Sequence, residues 1–191
     1  PTHRVAIRGM ALPAAQSFIT PLGAVAVDRD AWLRAREMPG VIVDDRPHAD
    51  EHAIEVQLPF LQSTLNHFQI LPVAVGEVDP HRVAALLESL WGGPETLIVI
   101  SSDLSHYHPY RQAQWRDKAT IAQIRQLDAT LNGDQACGAG AINGLLLAAC
   151  RHRLTPHLLD LRNSGDTAGD RERVVGYASI SFSETLDHAH H

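Results

Sequence analysis

Apolar positions along this chain recur at two different spacings, and the changes of spacing mark its elements. Between Asp79 and Trp91, Val83, Leu86, Leu87 and Leu90 fall on one face at helical spacing, which predicts an amphipathic helix. Tyr110 to Leu127 reads as a long polar helix and Gly140 to Arg151 as an apolar one. Asp28 is placed to cap a further helix over Arg29 to Met38, which Pro39-Gly40 ends. Ile54, Leu58 and Leu61 also keep helical spacing, but Pro59 interrupts it, so that helix is expected to kink or restart there. Strands are predicted at Gly23 to Asp28, after a turn at Thr20 to Gly23, and at Phe68 to Val75, Thr96 to Ser101, His157 to Arg162 and Val174 to Phe182. A short apolar run lies at Val41 to Val43, and Asn163 to Arg171 is a Gly/Asp-rich loop.

Strand, helix and strand over residues 68–101 form a β-α-β unit, and right-handed crossovers make the two strands parallel neighbours. Ligands bind at the carboxyl ends of such strands, so Ser101, Ser102, Asp103, His106 and His108 are expected to line a crevice. The plainer reading of that stretch is a capped turn carrying solvated histidines. The fold class expected is α/β, one three-layer domain over residues 1–184 with a mostly parallel central sheet and helices on both faces, followed by a polar, His-containing tail over 185–191. Pro1-Thr2-His3-Arg4 reads as the middle of a strand-to-loop junction, so a preceding strand and loop are expected and the domain is read as N-terminally truncated.

Composition narrows the partners. Hydrophobic residues make up 45% and charged ones 20%, a globular balance, and the net charge of -6 argues against a nucleic-acid surface. The longest apolar run, around Leu145 to Cys150, is too short to span a bilayer, and a cytoplasmic location without membrane attachment is expected. Two cysteines do not make a disulfide framework, and Cys150, in an apolar helical run, is expected to be core.

Three groupings carry chemistry. Asp103 and His106, three residues apart beyond a strand end, suit an oriented general acid/base. Asp50, Glu51, His52 and Glu55 sit at a helix start, where carboxylates also simply complement the helix dipole; His52 is the member that reading leaves unexplained. Cys137, between small residues and just ahead of a helix, is placed to ligate a metal or attack an electrophile, or to be a small buried residue in a tight turn.

In order along the chain, Pro1-Thr2-His3, Thr20-Pro21-Leu22-Gly23, Asp50-Glu51-His52 with Glu55 to Leu61, Leu71-Pro72-Val73 with Val75-Gly76, Ser101 to Tyr107, Cys137-Gly138 and Val174 to Ala178 resemble the motif series of the MEMO family. That family includes the proteins named AmmeMemoRadiSam system protein B. The resemblance implies a fold similar to the class III extradiol (LigB-like) dioxygenases and an iron or copper pocket held by two histidines and a cysteine. His3 and Cys137 match two of those ligands, while the first histidine, in an upstream loop, has no counterpart here. His106 matches the acid/base of the related dioxygenases, with Asp103 and His52 among the polar residues around the pocket. AMMECR-type and radical SAM proteins are the implied partners.

Three functions are therefore open: a MEMO-type metal protein of redox or dioxygenase-like activity, a cysteine-dependent hydrolase or transferase using Cys137, His106 and Asp103, and an interaction module with a vestigial site. With two family ligands present, this chain is expected to bind its metal weakly or not at all, and an uncovered sheet edge would favour homo-oligomers.

Overall fold

The computed structural model describes residues 1–167 and 169–184; the tail read at 185–191, with His188, His190 and His191, lies outside the described residues. The chain divides into two compact units at the Ser101–Ser102 bond. Both are mixed α/β.

In the first unit β1 (Met10–Leu12), β2 (Ser17–Thr20) and β3 (Gly23–Ala26) precede α1 (Arg29–Arg36), β4 (Val41–Val43), the short α2 (Arg46–Ala49), α3 (Leu58–Thr64), β5 (Ala74–Val75) and α4 (Pro80–Leu90). Capping explains where α1 and α4 begin. Asp28 accepts from the Ala31 N–H at 2.9 Å ahead of α1, and Asp79 accepts from the His81 N–H at 2.9 Å, with Pro80 at the first position of α4. The helix expected around Pro59 restarts there: residues 53–57 are turns and α3 opens at Leu58 with proline in its first turn.

Met10, Leu12, Val27, Trp32, Ala35, Val83 and Leu86 form the core of this unit, and each large side chain buried contributes on the order of 1.5–3 kcal/mol. The Trp32 indole N–H does not go unmet, donating to the Pro13 carbonyl at 2.8 Å. β1 lies between β4, to which it is parallel, and β5, to which it is antiparallel. Gly9 makes the first pairing feasible: it holds φ +103, and a Cβ there would fall 2.4 Å from the Gly40 carbonyl that accepts the Met10 N–H.

The second unit contains β6 (His106–His108), α5 (Tyr110–Arg125), α6 (Ala139–Arg151), β7 (Leu154–Asn163), a 3-10 turn (Ser164–Asp166) and β8 (Val174–Glu184). β8 is central, antiparallel to β6 on one side and to β7 on the other. Ile121 and Ile124 of α5 and Leu146 of α6 are buried, as is Val174 at the start of β8.

Helices fell where the apolar spacing put them; the central strands did not. Residues 97–100, expected to be a buried parallel strand beside 68–75, carry no ladder among the described residues, and Leu97 and Val99 are 68% and 45% exposed. The 68–75 run contributes two strand residues, Ala74 and Val75, paired antiparallel to β1, with an isolated bridge from Ile70 to Val27. The physical reason is that an apolar run becomes a strand only when a neighbour supplies its hydrogen bonds. Cys150 is likewise corrected from core to exposed, at the last turn of α6 where the apolar face has ended. Among the described residues no helix is long and apolar enough to cross a membrane.

Candidate metal centre

The second unit gathers three candidate residues at one place. Asp103, His106 and Cys137 each offer a ligand atom within 4.8 Å of the others, and among the described residues this is the cluster able to hold a metal ion. The segment from Ser102 to His106 leads into β6, and Cys137 lies in the turn before α6. Backbone and hydroxyl groups lock the two together. The Asp103 N–H donates to Cys137 Sγ at 3.2 Å while the Cys137 N–H donates to the Asp103 carbonyl at 3.3 Å. Ser102 Oγ donates to that same carbonyl at 2.7 Å, accepts the Gly138 N–H at 2.8 Å, and stands 3.6 Å from Sγ. The N–H and hydroxyl contacts hold Sγ in a fixed direction ahead of the α6 N-terminus.

The imidazole completes the group. His106 Nε2 is 3.6 Å from Asp103 Oδ2, with side chains 30% and 47% exposed. Metal–ligand bonds of about 2.0–2.3 Å in a tetrahedron put neighbouring donors roughly 3.3–3.8 Å apart, so this pair already has the spacing of two ligands on one ion. The donor set of one carboxylate, one imidazole and one thiolate fits a transition metal, with the thiolate favouring softer ions. Partial exposure leaves an open side for water or substrate.

Two backbone features keep His106 in place. The β6–β8 register shifts between His106 and His108, and the intervening Tyr107 adopts φ +59, an outlier for a bulky residue that costs on the order of 1–3 kcal/mol. The bulge turns the Tyr107 ring outward, 62% exposed, beneath the Arg173 guanidinium at 5.0 Å. On β8, Tyr177 has its phenol pushed above the usual range, by burial and then by the charge of Asp103.

His3 and His52 belong to the first unit, and there they have carboxylate partners. His3 donates its backbone N–H to Glu51 Oε2 at 2.7 Å and holds Nδ1 2.9 Å from Oε1. The Glu51 side chain is 6% exposed; burial alone would raise its pKa, but the His3 hydrogen bonds and charge bring it down to about 2. With Nδ1 so engaged, Nε2 is the His3 nitrogen left to bind another group, the arrangement metal-binding histidines commonly have. His52 Nδ1 lies 2.8 Å from Glu55 Oε2, both side chains well exposed. Arg4, Ala49, Asp50, Glu51, His52 and Glu55 line an open polar cleft of about 410 Å³.

One residue the sequence reading passed over is Asp117 of α5. It is 2% exposed, and its Oδ1 accepts the Ser105 N–H at 3.1 Å. Burial pushes this carboxyl up, against hydrogen bonding from Ser105 and the pull of His108 and His106. A signal was present: Ala113, Asp117, Thr120, Ile121 and Ile124 share one buried helical face, so a carboxylate had to lie on it.

The family described as Memo-like protein matches residues 1–181. A MEMO1 family protein of Sulfolobus acidocaldarius is 35% identical over an alignment covering 86% of this chain, and one of Methanosarcina barkeri is 37% identical over 84%. Another, from Metallosphaera sedula, is 31% identical over 86% of the chain. The chain spans 63%, 66% and 64% of the lengths of these three relatives. With its motifs in order and its match running from residue 1 to residue 181, the chain belongs to the Memo-like protein family.

Proposed function

We propose that this chain is a metal-binding member of its family, with Asp103, His106 and Cys137 as ligands and iron or copper as the metal. The observation that carries the reading is the convergence of three chemically different donors within 4.8 Å, with the thiol already oriented by the Asp103 N–H. Three protein ligands and an open side are the pattern of a reactive rather than a purely structural site. A bound ion there would supply Lewis acidity or one-electron chemistry at the open position. The chain's own residues would present the thiolate, orient the imidazole against the Asp103 carboxylate and leave the exposed face to substrate.

His3 as a further ligand, a class III extradiol dioxygenase-like three-layer fold, a redox or dioxygenase-like reaction, and partnership with AMMECR-type and radical SAM proteins are proposals that rest on the family resemblance. The test is titration of the chain with Co(II), followed by its thiolate-to-metal absorption, with iron, copper and zinc measured by elemental analysis. One equivalent bound with a sulfur band, both lost in Cys137→Ser, supports the site. A Cys137→Ser protein that binds as tightly as the parent removes it.

A second reading has its own support. The N–H and hydroxyl around Sγ would also stabilise a nucleophilic thiolate, with His106 as base and Asp103 orienting it. Rapid alkylation of Cys137 at neutral pH in protein that takes up no metal would favour it.

A further inference from the structure

We infer that Asp117 is a positioning residue of this centre, a buried carboxylate that grips the backbone of Ser105 and thereby fixes where the next residue, His106, presents its ring. The inference builds on the proposed metal site and extends it to a residue outside the cluster.

Asp117 lies in the middle of a largely polar 16-residue helix, yet it is turned inward and 2% exposed. Taking a carboxylate out of water costs several kcal/mol, so its retention on an otherwise small and apolar face calls for a return. What meets it is main chain. The Ser105 N–H points at Oδ1, while the Ser105 carbonyl accepts the Gly176 N–H at 2.8 Å and the Leu104 N–H donates to the Gly176 carbonyl at 2.9 Å. Ser105, itself 1% exposed, is therefore held on its N–H by α5 and on its carbonyl by β8.

Gly176 shows how closely the carboxylate is seated. A Cβ at that position would fall 2.1 Å from Asp117 Oδ2, so any side chain there would displace the carboxylate from its seat. Beyond Ser105, His106 pairs with Val175 of β8, and the register shifts only after it, at Tyr107. The Asp117 contact comes immediately before this pair, so His106 is bracketed by the carboxylate's grip on one side and the bulge on the other. A hydrogen bond to an ionised carboxylate is stronger than one to a neutral acceptor. Asp117 touches none of the proposed ligand atoms in the contacts above; it acts through the Ser105 main chain.

The test compares the chain with Asp117→Asn and Asp117→Leu by amide hydrogen exchange and by Co(II) titration. In Asp117→Leu the Ser105 N–H loses its acceptor, so the Ser105 and His106 amides should exchange at least about 10-fold faster while those of Ile180 and its β8 neighbours stay unchanged; Asp117→Asn should fall between. Should Asp117→Leu not fold, the isosteric Asn variant carries the same comparison. Co(II) affinity of Asp117→Asn should drop roughly 10- to 100-fold, the usual cost of an outer partner, with a shifted sulfur band. Unchanged exchange at Ser105 and His106, or acceleration spread evenly over α5, β7 and β8, overturns the inference, the second result marking a merely structural carboxylate. If the parent chain takes up no Co(II), the metal reading fails while the exchange data still decide the role of Asp117.

Discussion

The pairing of His3 with Glu51 makes stability depend on pH in a definite direction. Glu51 has an ordinary value of 4.5 and a folded value of about 2, so the folded state holds its proton less tightly than the unfolded chain does. The resulting stabilisation is fully present above about pH 4.5 and is lost as the pH falls from there through about 2. A shift of that size corresponds to at most about 3 kcal/mol, and the half-exposed, solvent-screened His3 reduces it to roughly 1–2 kcal/mol. His3→Ala keeps the backbone N–H that donates to Glu51 and removes only the imidazole's share, so it is expected to lower stability at pH 7 by part of that amount, about 1 kcal/mol or less, and to flatten the decline between pH 4.5 and 2 only partly, both readable by urea unfolding across pH. At this scale the sequence was informative about which residues carry chemistry and silent about their partners. Asp103, His106 and Cys137 stood out because a carboxylate, an imidazole and a thiol are conspicuous near Gly and Ser. The Glu51 contact of His3 joins residues 48 apart, and the role of Asp117 depends on a carbonyl-and-amide grip that leaves no mark in spacing.

Helices and strands differ here in how much of their cause is local. α4, α5 and α6 were legible because their period and length lie within the segment itself, and α4 adds its Asp79 cap. β7 and β8 were also read correctly, since each is long and rich in alternating side chains, and they found each other over nearly their whole length. Residues 97–100 were not, because apolarity alone names no neighbour. The junction of β8 with α5 gives the sharpest test at this scale. Gly176→Ala would push a methyl group into the Asp117 carboxylate, 2.1 Å from Oδ2 and 2.6 Å from Cγ, so this buried carboxylate would have to move and a loss of about 2–3 kcal/mol is expected. Thermal unfolding measures it. In the double variant Gly176→Ala with Asp117→Ala, part of that loss should be recovered, because the clashing oxygen is gone; strictly additive losses would show that the two positions are not coupled.

At the scale of the whole chain, the -6 net charge predicts that any metal centre draws cations by field as well as by contact, and Co(II) uptake should weaken as salt is raised. A salt-independent affinity between low and physiological ionic strength would show that only the immediate donors matter. The placement of the two thiols has a further consequence, for how the protein ages in air. Cys137 precedes α6 and Cys150 ends it, so the helix holds them about 20 Å apart, far beyond disulfide reach. Neither can therefore act as the resolving partner of the other. Oxidation of Cys137 would have no internal disulfide at which to stop and would climb from sulfenic acid to irreversible forms, whereas the exposed Cys150 would couple to a second chain. Stored without reductant, the protein is expected to yield a covalent dimer on non-reducing gels, absent in Cys150→Ser, alongside a monomer whose Cys137 has gained oxygen by mass spectrometry. A rigid helix thus decides that this chain has one thiol that cross-links and another that burns out.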